Sequence, residues 1–173
     1  EIIREKGTNR SAFFRGETDK YNWIDVGSSF LPSDIIAAFL YAQLEHLDQI
    51  QARRKTLWNR YYQNLKQLSK SGYIKLPYIP EYATNNAHMF YIICPNLKQR
   101  SELIKYLNDK DILAIFHYLS LHRSPFYKNR HDNRELKNSD RYTDCLMRLP
   151  MYYELDFSTV DMICETIHGF FKR

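Results

Sequence analysis

Apolar positions between residues 33 and 71 recur every three or four residues, at Ile36, Leu40, Leu44, Leu47 and Ile50, then at Leu57, Tyr61, Leu65 and Leu68. That spacing lines one face of a helix. Pro32 and Ser33 open the segment, with Ser33 as N-cap and Asp34 in a first turn whose dipole favours a carboxylate. Gly72 is a natural left-handed stop. Because the stripe breaks at Arg53 and Arg54, residues 33–71 form either one long helix or two with a bend. A buried leucine contributes roughly 1.5–3 kcal/mol, so this face needs a cover.

After Gly72 the period changes. Tyr73–Leu76, Met89–Cys94 and Ile112–Phe116 are rich in aromatic and β-branched residues and predict short strands. Residues 97–109 carry Leu103, Ile104 and Leu107 on one helical face, and residues 139–147 predict a second short helix. Ser158 caps a final helix with Val160, Ile163, Ile167 and Phe170 inward. The polar stretch "FYKNRHDNRELKNSDR" is a solvated loop. The economical assembly is α+β, a small antiparallel sheet with helices on one face. Residues 1–32 are irregular and Gly-punctuated, with one extended segment at Tyr21–Val26. The expected division is therefore 1–32, 33–71 and 72–173.

Composition supports a folded chain: of 173 residues, 44% are hydrophobic and 15% aromatic. The longest apolar run, Ile35–Ala42, is too short to span a bilayer, so no membrane partner is expected. Cys94, Cys145 and Cys164 are far apart and odd in number, which suggests neither a disulfide frame nor a zinc site and fits a reducing cytoplasm. The net charge of +5 suits solubility first, and an anionic ligand or nucleic acid otherwise. No nucleic-acid motif accompanies the basic "ARRK" at 52–55, which is expected to be a solvated helix face, and no nucleic-acid partner is expected. The first methionine is Met89, so the chain is expected to be a fragment.

Candidate chemistry is concentrated in two places. In "GTNRSAFFRG", Arg10 and Arg15 beside flexible backbone suit bidentate binding of a phosphate or carboxylate, or simply a surface loop. "GSSFLPSD" lacks the second glycine of a nucleophile elbow, but its hydroxyls and amides before a helix suit an anion. In "FHYLSLHRSP", the separation of His117 and His122 does not align two imidazoles on a helix, and no metal site is indicated. Those histidines and Tyr118 either line a polar pocket or satisfy backbone groups at a strand end.

Taken in order, "REKGTNRSAFFRGETDKYNWIDVGSSFLPSD", "AAFLYAQLEHLDQIQARRKTLWNRYY", "NNAHMFYI", "FHYLSLHRSP" and "RLPMYYEL" resemble the C-terminal half of the DegT/StrS sugar aminotransferases. The first blocks are similar to the WecE/RffA type, the dTDP-4-amino-4,6-dideoxygalactose transaminases. The resemblance implies the small C-terminal domain of a fold type I aminotransferase dependent on pyridoxal 5'-phosphate, preceded by a long spine helix and the end of the large domain. It implies an amino transfer from glutamate to a 4-keto nucleotide sugar, and a homodimer. The lysine that carries the cofactor is expected upstream, leaving no catalytic residue in this chain and an inactive fragment. Ser29 is implied in holding the cofactor phosphate of a neighbouring subunit, where the family commonly has Asn; Leu31 stands where many members have Arg. His117, Tyr118 and His122 match the family's His-Tyr-x-Pro-Leu-His segment and are implied in nucleotide-sugar contact, with Ser120 at the usual proline position. Asn9, Arg10, Phe14, Arg15 and Tyr21 are implied in substrate or partner-subunit contacts.

Overall fold

The computed structural model describes residues 1–172 and contains two compact units, Glu1–Leu47 and Asp48–Arg173.

In the first unit, residues 1–33 fold through turns and two isolated bridges, Glu5 with Ser29 and Thr8 with Trp23. The expected extended segment at 21–26 thus pairs only at Trp23. A short helix, α1 (Arg10–Phe14), lies inside the loop, where no helix was expected. The loop closes at two glycines. Gly7 has φ +78°, and a β-carbon there would sit 1.9 Å from the Asp25 carbonyl oxygen; one on Gly27 would sit 2.1 Å from the Gly7 nitrogen. Only glycine permits that approach. Helix α2 (Asp34–Glu45) follows, with the Ser33 hydroxyl accepting from the Ile36 amide at 3.4 Å and Asp34 in the first turn, as the sequence predicts.

The helical segment is two helices, α2 and α3 (Leu47–Lys70), separated at His46. Their apolar stripe divides by environment. Leu57, Tyr61, Leu65 and Leu68 of α3 are buried, whereas Ile35, Ile36, Phe39 and Leu40 of α2 are exposed. At the end of α3 the amides of Gly72 and Tyr73 donate to the carbonyls of Ser69 and Leu68, and Gly72 takes φ +80°. This pairing satisfies carbonyls that the helix would leave open.

The second unit is an α+β layer. Strands β1 (Phe90–Ile93), β2 (Ile115–Phe116) and β3 (Leu146–Leu149) form an antiparallel sheet in the order β1-β3-β2. Helices α4 (Leu97–Asn108), α5 (Lys137–Cys145) and α6 (Phe157–Phe171) complete the unit. The core joins Phe90 and Ile92 of β1, Met147 and Leu149 of β3, Leu103 and Leu107 of α4, and Val160, Ile163 and Ile167 of α6 to the buried face of α3.

Five local expectations need correction. Residues 139–147 are not one helix: α5 ends at Cys145 and the central strand β3 begins at once. The expected strand at 73–76 is a single bridge, Lys75 to Ile93, and the one at 112–116 narrows to β2. Asp156, not Ser158, precedes α6, and it makes no side-chain cap bond. Arg53 and Arg54 are not a solvated face. Arg53 donates to the carbonyls of Tyr153 (3.3 Å) and Leu155 (2.6 Å), and Arg54 to those of Ala87 (3.1 Å) and His88. Their guanidinium forks satisfy loop carbonyls, so the interruption of the apolar stripe is itself a packing device.

Candidate functional site

The close approach of Gly7 and Gly27 brings opposite ends of the first loop together around a cavity of about 610 Å³. Of the residues the sequence singles out, Arg10, Phe14, Tyr21 and Ser29 line it. Arg4, Lys6 and Trp23, which the sequence reading passed over, line it as well. Among the described residues, none of the cavity's three cations, Arg4, Lys6 and Arg10, forms an ion pair with a carboxylate; Arg10 lies over the Phe14 ring at 5.2 Å. One acid lines the cavity, Glu5, and its charge is already engaged. Its carboxylate accepts from the Ser11 hydroxyl at 2.6 Å and from the Ser11 amide at 3.3 Å. The Ser11 hydrogen bond holds the Glu5 carboxyl below its ordinary pKa, and the same contact fixes the first turn of α1.

Asn9 and Arg15 do not line this cavity. Asn9 exchanges bonds with Asn22: its amide donates to the Asn22 carbonyl at 3.2 Å, and its side-chain oxygen accepts from the Asn22 amide at 2.7 Å. The Arg15 guanidinium donates to Glu17 at 2.7 and 3.1 Å and to Glu1 at 3.0 Å, and those bonds raise its pKa above the ordinary arginine value.

In the second unit the segment after β2 carries the other candidates. His117 follows the strand with its ring 4.7 Å from that of Tyr118, and its Nδ1 is buried with no hydrogen-bond partner. His117 and Tyr118 line a small cavity of about 200 Å³; His122 instead lines an adjoining one of about 390 Å³, so the two histidines do not share a pocket. His122 Nε2 lies 3.1 Å from Asp140 Oδ1, and Arg123 reaches Asp140 Oδ2 at 2.8 Å. Its ring is 5.2 Å from that of His131, which comes from the polar loop. Between the histidines, Ser120 is buried, with its hydroxyl 2.6 Å from that of Thr143 and 3.1 Å from that of Ser139. Among the described residues, four more buried atoms have no hydrogen-bond partner: the Nε of Arg100 on α4 and of Arg148 on β3, Gln99 Oε1 and Asp140 Oδ1. The sequence offered no signal for Arg148, because nothing local marks its strand. Among the described residues no group of His, Cys, Asp and Glu is arranged to hold a metal ion, and no helix is long and apolar enough to cross a membrane.

The chain has the fold of solved sugar aminotransferases. The chain is similar to a putative sugar aminotransferase, Spr1654, from Streptococcus pneumoniae in its PLP form (20% identity, TM-score 0.80, 99% of this chain and 42% of that one). It is similar to NtdA from Bacillus subtilis with the cofactor PMP bound (20% identity, TM-score 0.82, 99% and 38%). It is also similar to a DegT DnrJ EryC1 StrS aminotransferase from Brucella abortus (25% identity, TM-score 0.77, 95% and 43%). The profile of the DegT/DnrJ/EryC1/StrS aminotransferase family matches residues 1–168, and the chain belongs to that family. It spans about two-fifths of the length of these relatives.

Proposed function

We propose that this chain is the C-terminal part of an aminotransferase that uses pyridoxal phosphate to move an amino group from glutamate to a 4-keto-6-deoxy nucleotide sugar. The dTDP-linked substrate of the WecE/RffA type is the specific reading, with a role in building lipopolysaccharide or enterobacterial common antigen in the cytoplasm. In this reading residues 1–32 are the end of the large domain, 33–71 the connecting helices and 72–173 the small domain. The working protein is a homodimer of longer chains, and the fragment alone is inactive.

The observation that carries the reading is the cavity where Arg4, Lys6 and Arg10 stand without carboxylate partners beside Phe14, Tyr21 and Trp23. Cations and hydroxyls meet phosphate oxygens, and flat rings meet a flat base. The cofactor fits the donor set: Ser29 has a hydroxyl on the cavity wall that makes no side-chain hydrogen bond among the described residues. Bound there, pyridoxal phosphate supplies the electron sink for amine transfer. Ser29 would donate to a phosphate oxygen while Arg4, Lys6 and Arg10 offset the charge. Asn9 and Arg15 would act by holding the loop that presents them. His117, Tyr118 and His122 are the further candidates for contact with the sugar nucleotide.

The test is an absorption spectrum of a protein of the relatives' length carrying this sequence, taken with pyridoxal phosphate before and after glutamate. The expected result is a yellow band that bleaches with glutamate. With no band, the chain is a silent binding or assembly module of the same fold, a reading that the exposed apolar face of α2 favours.

A further inference from the structure

The segment His117–Arg123 has one short 3-10 turn of its own, Leu121–Arg123, and is fastened to α5 at two separate places. The first is the hydroxyl group of three: Ser120, 5% exposed, sits between Thr143 Oγ1 at 2.6 Å and Ser139 Oγ at 3.1 Å. The second is Asp140, whose Oδ2 pairs with Arg123 at 2.8 Å; its Oδ1 lies 3.1 Å from His122 Nε2 without a hydrogen bond among the described residues. Ser139, Asp140 and Thr143 occupy neighbouring positions on one helix, so both fastenings fix the segment to the same rigid element. Ser120 itself has φ −61°, the value that a proline ring would impose. Here the hydroxyl bonds hold by side chain what a ring would hold covalently. A buried hydroxyl must be paired, because leaving it unsatisfied costs about 1–3 kcal/mol. In the observed position of the segment the Ser120 hydroxyl meets that requirement through Ser139 and Thr143.

We propose that Ser120 and Thr143 are positioning residues for sugar-nucleotide binding, setting the placement of His117 and Tyr118 on one side and His122 on the other without touching the substrate. The inference rests on the proposed function for its substrate, but not for its structural half.

Two measurements on the relatives' length protein separate the two. Hydrogen exchange reads the placement directly: the Arg123 and Ser124 amides donate to Ser120 and Leu121 at 3.1 and 3.0 Å. In Ser120→Ala these two amides should exchange about tenfold faster while those of β1 are unchanged. Thr143→Ala, which leaves the Ser120–Ser139 contact, should do so to a smaller extent, and the double variant should be no worse than Ser120→Ala alone, since that substitution already removes the Thr143 contact. Steady-state kinetics then read the consequence: KM for the sugar nucleotide should rise about tenfold, with the glutamate half-reaction within twofold of the parent. Unchanged exchange, or acceleration shared by β1, overturns the positioning role whatever the activity. Faster loop exchange with an equal change in both half-reactions overturns the assignment to the sugar nucleotide. A parent that shows no transamination removes the proposed function and leaves exchange as the judge of placement.

Discussion

The phenol of Tyr61 donates to the carbonyl of Pro150 at 2.9 Å and so ties α3 to the residue that follows β3. Its ring is fully buried and stacks on Phe90 of β1 at 5.0 Å, so one side chain joins a helix to two strands. Burial pushes its hydroxyl well above the ordinary tyrosine pKa, which keeps it a donor throughout the physiological range.

Tyr61→Phe preserves the ring and leaves the Pro150 carbonyl unpaired. The expected cost is about 1–2 kcal/mol, seen as a lower urea midpoint with an unchanged slope.

Gly27→Ala should open the first loop. Its new β-carbon would lie 2.1 Å from the Gly7 nitrogen and 2.6 Å from the Ile3 oxygen, both backbone atoms that cannot turn aside. A loss of more than about 1 kcal/mol is expected, confined to the first unit. Limited trypsin digestion should cut at Arg10 and Arg15 first, with the second unit left intact.

Asp161 on α6 accepts from Arg60 at 2.7 Å and from Asn64 at 2.7 Å. The Arg60 hydrogen bond, with smaller help from Asn64, holds its carboxyl below the usual value of 3.8. A pKa lowered in the folded state stabilises above the unfolded value, and that contribution is lost as pH falls through the folded one. The pair is partly exposed, so the effect is small. Asp161→Asn should therefore be slightly less stable than the parent at pH 7, with the gap closing as the pH drops below 3.8 in paired urea titrations.

What could be foreseen from the sequence was local. Ser33 and Gly72 bound their helices as expected because a cap and a left-handed stop act on their own turn. Strand β3 escaped notice because Leu146–Leu149 follows α5 without a turn residue and has Arg148 in its middle; its pairing with β1 and β2, not its composition, makes it a strand. The cavity divides the same way. All seven lie in the first block that carries the resemblance; it implies a role for Arg10, Phe14, Tyr21 and Ser29, whereas Arg4, Lys6 and Trp23 carry none and join them because the glycines let distant backbone segments touch. Arg15 had the right chemistry in sequence, but Glu1 and Glu17 engage its guanidinium.

The strand order β1-β3-β2 has a consequence for synthesis. The middle strand is the last of the three to leave the ribosome, and each outer strand pairs with it rather than with the other. Until Leu149 emerges, Ile115–Phe116 has no ladder partner and Phe90–Ile93 has only its bridge to Lys75, and the hydrophobic side chains of β1 must wait beside the nascent helix α3. Unpaired edges of this kind are where a growing chain associates with its neighbours. Arrival of Leu146–Leu149 is the step that turns a collection of helices into a cooperative unit.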